Sequence, residues 1–182
     1  VLPRGLLREP LRQLQRADEI IITRTDQASP ETIVNIDRAI KRYAGKPPIA
    51  HAVHEWTAFR DARGIFHPLN SLRIARVLAH SAIGNPAAFE AMLKQHVAEL
   101  TSPLILDDHA RLAPGAPLLT KALQNDRPTA IVTTDKDWAK PATMRALMAT
   151  QLPIYRPVVR IRFLDGSDAI DNLLRRALSQ PL

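Results

Sequence analysis

The sequence has no cysteine, and aromatic residues make up only 4% of it. Without cysteine the chain forms no disulfide and offers no thiolate ligand to a metal ion, which fits a cytosolic protein and equally fits other compartments. The low aromatic content counts against a protein that binds single-stranded nucleic acid by stacking bases on aromatic rings.

The sequence also lacks a membrane-spanning run and a phosphate-binding loop. No apolar run approaches the roughly 18 to 20 residues that span a bilayer, and no signal-peptide pattern heads the chain. The pattern Gly-x-x-x-x-Gly-Lys-Ser/Thr does not occur, and Gly45-Lys46 runs into Pro47-Pro48, which cannot start a helix that cradles phosphates. We therefore expect any membrane contact to be peripheral, and we expect the chain alone not to bind a nucleotide productively.

The 182 residues are 46% hydrophobic and carry a formal net charge of +7, with arginine well in excess of lysine. The length allows a sizeable core in one domain or one and a half. The charge favours anionic partners, namely nucleic acid, anionic lipid headgroups or phosphorylated substrates, and arginine suits bidentate capture of phosphate. A genomic base composition that favours arginine codons explains the excess equally well.

Apolar strand-like runs alternate with helical patterns along the chain, which predicts an α/β fold. We expect a largely parallel sheet flanked by helices on both faces, a three-layer α/β/α arrangement. The predicted strands are 17–23, 74–83, 103–106, 129–134 and 158–163. The predicted helices are 30–43, 86–100, 118–124, 141–150 and 168–178, and the extended segments from 49 to 66 are interpreted as a linker.

Polar residues follow several of these strands, at the edge of the sheet where open α/β folds bind ligands. The loop residues are Arg24 and Thr25, Gly84 and Asn85, Asp107, Asp108 and His109, and Thr134, Asp135, Lys136 and Asp137. A histidine held by a carboxylate can orient or assist a base near neutral pH, so Asp108 and His109 are candidate catalytic residues. The alternative is that Asp108 and His109 have no catalytic role and are ordinary polar residues of a loop.

The Thr134 to Asp137 loop can serve recognition or structure. Lys136 can reach a phosphate as a point charge, while Asp135 and Asp137 can hold that lysine or stabilise a helix N-terminus. A capped strand-to-helix turn with internal salt bridges is the competing interpretation. Asn85 before Pro86 is typical of a helix N-cap, and an anion contact at that helix N-terminus stays open.

Two further patterns concern the basic N-terminal segment and a pair of histidines. Arginines recur at every fourth position from Arg4 to Arg16, so a helix starting near Pro10 would be basic and amphipathic, suited to an anionic lipid surface or simply solvated. His51 and His54 point to opposite faces of an extended segment, which argues against their joint ligation of a metal ion. We therefore predict no metal site within this chain.

Four motifs together resemble one family. They are Leu2-Pro3-Arg4-Gly5-Leu6-Leu7-Arg8-Glu9-Pro10, Ile83-Gly84-Asn85-Pro86 followed by Phe89, Asp108-His109, and Ile131-Val132-Thr133-Thr134-Asp135-Lys136-Asp137. Their order and spacing are similar to those of the tetraacyldisaccharide 4'-kinases, which transfer the γ-phosphoryl group of ATP to a lipid A precursor. The resemblance covers the chain from Leu2 to its end.

The resemblance implies the C-terminal part of a two-domain P-loop-type kinase that is inactive as this fragment alone. Residues 1–47 would complete the N-terminal nucleotide-binding domain, 48–70 would link the domains, and 71–182 would form the C-terminal α/β domain. ATP and Mg²⁺ would be held mainly by residues outside this chain, in the missing N-terminal half. The partners implied are an anionic glycolipid substrate and the membrane surface, with no nucleic acid, at the cytoplasmic face of the inner membrane.

The resemblance also implies roles for single residues. His109 would partner an aspartate of the missing half that deprotonates the sugar 4'-hydroxyl, Arg8 would contact substrate phosphate, and Glu9 would lie near the metal-nucleotide. The sequence departs from the family at Ala110, where a second histidine is usual, at Leu112, where a tyrosine is usual, and at Asp135, where glutamate is usual.

Two other classes remain open. One is a non-catalytic basic α/β module that binds nucleic acid or another polyanion, which would require a dense basic patch. The other is a small phosphotransferase or hydrolase built on Asp135 and Asp137, which would require a divalent metal ion for turnover by the isolated chain.

Overall fold

The computed structural model describes residue 7, residues 9–108 and residues 110–179. The chain forms two compact units, Val1–Glu55 with Arg160–Leu182 and Trp56–Val159. The chain passes from one unit to the other within two long strands, β2 (Ala50–Asp61) and β8 (Ile154–Phe163). Among the described residues, no helix has the length and apolar character that crossing a membrane requires.

The first unit combines a short parallel strand pair with two helices. It contains a 3-10 helix (Leu11–Arg16), β1 (Ile21–Ile22), a 3-10 turn (Thr25–Gln27), α1 (Pro30–Ala44), the start of β2, the end of β8 and α6 (Ser167–Ser179). β1 pairs with β2 in parallel, with Ile21 opposite Ala50. The predicted basic helix after Pro10 is thus a six-residue 3-10 helix, on which Arg12 and Arg16 are exposed.

Local sequence signals set both ends of α1. The Ser29 hydroxyl accepts a hydrogen bond from the Thr32 amide at 3.2 Å, and Pro30 occupies the first helical position. Gly45 ends the helix with a φ of 78°, a left-handed conformation that glycine adopts at low energetic cost. The helix predicted over 30–43 is therefore confirmed, one residue longer.

The second unit holds most of the sheet. It adds β3 (Phe66–His67), a 3-10 helix (Leu69–Leu72), β4 (Arg76–Ser81), α2 (Pro86–Lys94), β5 (Glu99–Leu100), β6 (Leu104–Ile105), α3 (Pro117–Asp126), β7 (Ala130–Thr133), α4 (Asp135–Trp138) and α5 (Pro141–Met148). The strand order is β2-β8-β7-β4-β5, with β3 beside β2 and β6 beside β4. The β4–β5, β4–β6, β4–β7 and β7–β8 pairs are parallel, and β2–β3 is antiparallel.

Alternate residues of β4 and β7 bury against helices on opposite faces of this sheet. On one face, Val77 and Val132 pack with Phe89 and Leu93 of α2. The other face is formed by a second cluster, which includes Leu78, Ile131, Leu119 of α3 and Leu147 of α5. Because side chains of a strand alternate between its faces, the unit has the predicted three-layer α/β/α arrangement with a largely parallel sheet.

The prediction of a helix over 86–100 was wrong at its C-terminal end, because α2 ends at Lys94. The Ala98 and Glu99 amides donate to the Ala75 carbonyl, and Glu99 and Leu100 pair with β4 as the short strand β5. Val97 and Leu100, assigned to the buried helix face, still pack against the core from this later segment.

Residues 48–70, predicted as a linker, form β2, a turn, β3 and the start of a 3-10 helix. The extended segments around the Asp61 turn are confirmed, because the Gly64 amide donates to the Asp61 carbonyl at 3.1 Å. The division of the intact protein into domains at 47 and 70 stays a prediction.

Gly166 offers a stability test. Its φ is +69°, and a Cβ built there would lie 2.7 Å from the Ala50 Cβ and close to the Ile49 carbonyl oxygen. We expect Gly166→Ala to lower the free energy of unfolding by about 2–5 kcal/mol, combining left-handed strain with overpacking. Urea unfolding of the chain measures the change.

Gly45→Ala is the matched control in the same unit. Gly45 also has a positive φ, +78°, but a Cβ there meets nothing within 4 Å. Its cost should be only about 1–2 kcal/mol of backbone strain. Equal losses in the two variants would contradict the close packing of Gly166 against β2.

Candidate functional site

The loops that follow β4, β6 and β7 lie together at the carboxyl edge of the second unit's sheet. The Lys136 ammonium is 2.7 Å from Asp108 Oδ1, which joins the loop after β7 to the loop after β6. A Cβ at Gly84 would lie 3.9 Å from Asp108 Oδ2, so the loop after β4 is adjacent. The structure thus brings together Gly84, Asp108 and Lys136, which the sequence had placed at separate strand ends.

The Thr134 to Asp137 loop is a capped helix start. The Thr134 hydroxyl accepts a hydrogen bond from the Asp137 amide at 3.1 Å and donates one to Asp137 Oδ2 at 2.7 Å. Thr134 is the N-cap of α4, a single four-residue turn of helix. The capped-turn interpretation is therefore confirmed for Thr134, and the three following residues point to different partners.

Asp137 is fully buried and surrounded by donors. Its Oδ2 accepts from the Ala82 amide at 3.0 Å, and its Oδ1 lies 2.7 Å from the Lys140 ammonium. Burial by itself would raise the pKa of Asp137, but the hydrogen bonds from Lys140, Ala82 and Thr134 outweigh it and hold that pKa below its usual value. The carboxylate is ionised and structural, and it ties the end of β4 to α4.

Asp135 turns toward two arginines. Its Oδ1 accepts from Arg60 at 2.9 Å and from Arg156 at 3.0 Å. The Arg156 guanidinium also donates to the Asp61 carbonyl and lies over the Trp138 ring, 5.0 Å from its centre. Asp135 and Asp137 are therefore bound to different cationic side chains, which does not favour a shared metal ion between them.

Lys136 is the member of the loop that faces Asp108. Both side chains are nearly half exposed, 43% for the lysine and 45% for the aspartate. An ion pair this exposed adds on the order of 0–1 kcal/mol to stability. It leaves an accessible ammonium at the edge of the sheet, beside the position of the loop that carries His109.

His80 lies beneath this edge, next to Thr133 in the neighbouring strand. Its Nδ1 is 2.9 Å from the Thr133 hydroxyl, its Nε2 has no hydrogen-bond partner among the described residues, and the side chain is fully buried. Burial lowers the pKa of His80 to about 4, so the imidazole is neutral at physiological pH.

Asn85 caps α2. Its Oδ1 accepts a hydrogen bond from the Ala88 amide at 3.1 Å, and Pro86 takes the first helical position. The capping interpretation of Asn85 is confirmed. Its contact with substrate stays a prediction.

Two of the predicted site residues, Arg8 and His109, lie outside the described residues. Glu9 is exposed, and its carboxylate is 3.9 Å from the Arg16 guanidinium. The roles assigned to Arg8, Glu9, Asp108 and His109 stay predictions.

The first unit contains a separate polar cluster around His51. The ring nitrogens lie 2.9 Å from Asp165 Oδ2 and 3.0 Å from Asp37 Oδ1, beside a cavity of about 490 Å³. Burial lowers the pKa of His51, but the two carboxylates raise it more, and the net shift is upward. His54 instead contacts Arg24 at 3.5 Å, and the described residues contain no group of three potential metal ligands.

Sequence reasoning missed Arg60, Arg156, Lys140 and His80. Arg156 lies in β8 before the predicted start of that strand, and its partner Asp135 is 21 positions away. Arg160 and Arg162, expected on a solvated face of the same strand, are exposed and pair with Glu55. Lys140 had a local signal, since it stands three residues after Asp137 at helical spacing.

The sequence profile of the family described as Tetraacyldisaccharide-1-P 4'-kinase matches residues 1–179. The chain belongs to this family. It is 32% identical over 185 residues to a tetraacyldisaccharide 4'-kinase of Anaeromyxobacter sp. and 31% identical over 153 residues to one of Halothermothrix orenii. These alignments cover 98% and 77% of this chain, but 47% and 39% of the two relatives.

A solved structure agrees with the fold. The crystal structure of LpxK from Aquifex aeolicus in complex with ATP matches 97% of this chain and 47% of that protein, with a TM-score of 0.59 and 20% identity. The chain thus spans about half the length of the tetraacyldisaccharide 4'-kinases it matches.

Two positions named above as departures from the family make contacts at the edge of the sheet. The Ala110 carbonyl oxygen accepts a hydrogen bond from the Lys140 ammonium at 2.9 Å. The Asp135 carboxylate pairs with both Arg60 and Arg156.

Because of His80, the stability of the chain should decrease as the pH is lowered. The pKa of His80 is about 4 in the folded chain, below its ordinary value of 6.5. Between pH 6.5 and pH 4, His80 is therefore protonated in the unfolded chain but neutral in the folded chain. The free energy of unfolding should therefore decrease by about 3 kcal/mol as the pH falls from 6.5 to 4. His80→Asn keeps a group that can bond Thr133 and should flatten this dependence in urea titrations at stepped pH.

His54→Asn, which removes a histidine outside the core, is the control for that measurement. An unchanged pH dependence in His80→Asn would show that His80 is not the buried neutral group.

Replacing Asp137 by asparagine, its closest isostere, should lower the free energy of unfolding. The Asp137 carboxylate accepts hydrogen bonds from the Ala82 amide, the Thr134 hydroxyl and the Lys140 ammonium. In Asp137→Asn, one carboxylate oxygen becomes an NH₂ group, which is itself a donor and has to face one of these three donors. We expect a loss of about 3–5 kcal/mol, measured by urea unfolding. The exposed Asp171→Asn should stay within about 0.5 kcal/mol. A loss near that of the control would contradict the buried charge at Asp137.

Proposed function

We propose that the protein containing this chain transfers the γ-phosphoryl group of ATP to the 4'-hydroxyl of a tetraacyldisaccharide 1-phosphate, a lipid A precursor. The family match over residues 1–179 is the observation that carries this proposal. The two relatives compared above are named tetraacyldisaccharide 4'-kinases, which supports the same substrate class.

The geometry supports a role for the loop after β6 in this reaction. Catalysis of phosphoryl transfer consists mostly of positioning and charge stabilisation. Asp108 lies at the carboxyl edge of a parallel sheet, paired with Lys136, and His109 follows it in the chain. We propose that Asp108 and His109 assist the base that takes the proton of the 4'-hydroxyl, with that base supplied from outside this chain. Lys136 is placed to attract a phosphate toward the same edge.

ATP and Mg²⁺ would be bound mainly by residues outside this chain. The phosphate-binding loop pattern is missing from the sequence, and the described residues contain no cluster of three potential metal ligands. The residues that the structure describes do not fit Mg²⁺-ATP by themselves. We therefore propose that the isolated 182-residue chain has no kinase turnover.

Substrate and membrane contacts complete the proposal. Arg8 would contact substrate phosphate, Glu9 would lie near the metal-nucleotide, and Asn85 would border the substrate. The exposed Arg12 and Arg16 suit peripheral contact with an anionic membrane surface, at the cytoplasmic face of the inner membrane where the glycolipid would be met.

His109→Ala in the intact protein tests the proposed function. If His109 assists proton transfer, kcat should fall about 10²- to 10⁴-fold, while the KM for ATP changes little. A steady-state assay follows phosphate transfer from radiolabelled ATP to tetraacyldisaccharide 1-phosphate.

His54→Ala is the matched control and should retain the parent kcat. An unchanged kcat in His109→Ala would refute the assigned role, and an intact protein without any transfer to the disaccharide would refute the proposed function.

A further inference from the structure

We propose that Lys140 is a positioning residue that holds the segment carrying His109 at the edge of the sheet. The inference rests on the proposed kinase function and adds a residue that none of the sequence motifs included. Its basis is the way in which residues 106–112, named here the 106–112 loop, are attached to the rest of the unit.

The 106–112 loop is fastened on both sides of His109. At its start, the Leu106 amide donates to the Ser81 carbonyl of β4 at 2.9 Å, and at its end the Leu112 amide donates to the Thr143 hydroxyl at 3.0 Å. Between them the Ala110 amide donates to the Asp107 carbonyl at 2.9 Å, which closes a turn. The described residues of this loop, 106–108 and 110–112, belong to no helix or strand, so these contacts determine the path of the described part.

Two lysines complete the attachment, one on each side of His109. Lys136 contacts the Asp108 carboxylate before it, and the Lys140 ammonium donates to the Ala110 carbonyl after it at 2.9 Å. The two contacts differ in environment. Lys136 is 43% exposed, whereas the Lys140 side chain is only 15% exposed.

Lys140 connects the loop to the most buried charge of the site. Its ammonium bridges the Ala110 carbonyl and Asp137 Oδ1, which lies 2.7 Å away. Asp137 is itself bound to the Ala82 amide at the end of β4. Charge-assisted hydrogen bonds at low dielectric are stronger than neutral ones, so this chain of contacts fixes the Ala110 carbonyl relative to the sheet.

A positioning role predicts a specific kinetic effect. Misplacing a reacting group by about 1 Å can lower a rate about 10²-fold, although nothing is lost from substrate binding. Lys140→Met removes the ammonium while keeping much of the side-chain length. We expect kcat to fall about 10- to 100-fold, with the KM for ATP within about twofold.

A double-mutant cycle with His109→Ala in the intact protein separates positioning from general damage. If Lys140 acts through His109, Lys140→Met should have no further effect on kcat once His109 is alanine. A loss of the same factor in both backgrounds would overturn the inference, and so would an unchanged kcat in the single variant. Lys121→Met, on the exposed side of α3, is the control and should keep the parent kcat.

Thr143→Val keeps the test decisive if Lys140→Met does not fold at the assay temperature. The substitution preserves side-chain shape and leaves Asp137 and its lysine in place, but it removes the acceptor of the Leu112 amide. Thr143→Val is then combined with His109→Ala in the same double-mutant cycle. An equal loss of kcat with and without His109, or an unchanged kcat in Thr143→Val alone, would show that the attachment of the 106–112 loop does not determine kcat.

The cycle also separates this inference from the proposed function. An unchanged kcat in His109→Ala alone would remove the assigned role of His109, and the positioning role with it. A large loss in His109→Ala together with additive losses from Lys140→Met would leave the proposed function standing and remove only the role of Lys140.

Discussion

A carboxylate without solvent contact has to be surrounded by donors, and those around Asp137 come from the end of β4, from the N-cap of α4 and from Lys140. Each donor belongs to a segment that borders the candidate site. The position of the loop after β6 depends on the same charge, because the Lys140 ammonium that neutralises Asp137 also binds the Ala110 carbonyl. One buried ion pair thus sets the relative positions of three loops.

The four residues from Thr134 to Asp137 make different contacts, although they lie within one turn of helix. Thr134 caps the turn, Asp135 binds Arg60 and Arg156, Lys136 faces Asp108, and Asp137 is buried. Successive helical residues point about 100° apart, so neighbours in sequence cannot share one partner. Asp135 and Lys136 are both exposed at the edge, whereas Asp137 is buried beneath it.

Features set by neighbouring residues were predictable. The N-caps Ser29, Asn85 and Thr134 accept hydrogen bonds from amides three residues ahead, and the apolar runs predicted as strands at 74–83 and 129–134 contain β4 and β7. Features set by distant partners were not. The strand Glu99–Leu100 exists because it pairs with β4, and the helical pattern that continued through it was overridden by that pairing.

The sequence by itself determined the alternating α/β order, the helix starts and the family to which its four motifs pointed, because capping, periodicity and motif spacing are local properties. Only the tertiary structure decided which charges meet. Arg60 and Asp135 are separated by 75 residues, and Lys140 reaches Ala110 across 30. Parallel strands bring such residues to one edge of the sheet, and hydrogen-bond geometry within about 3 Å then selects the partners, which no spacing along the chain encodes.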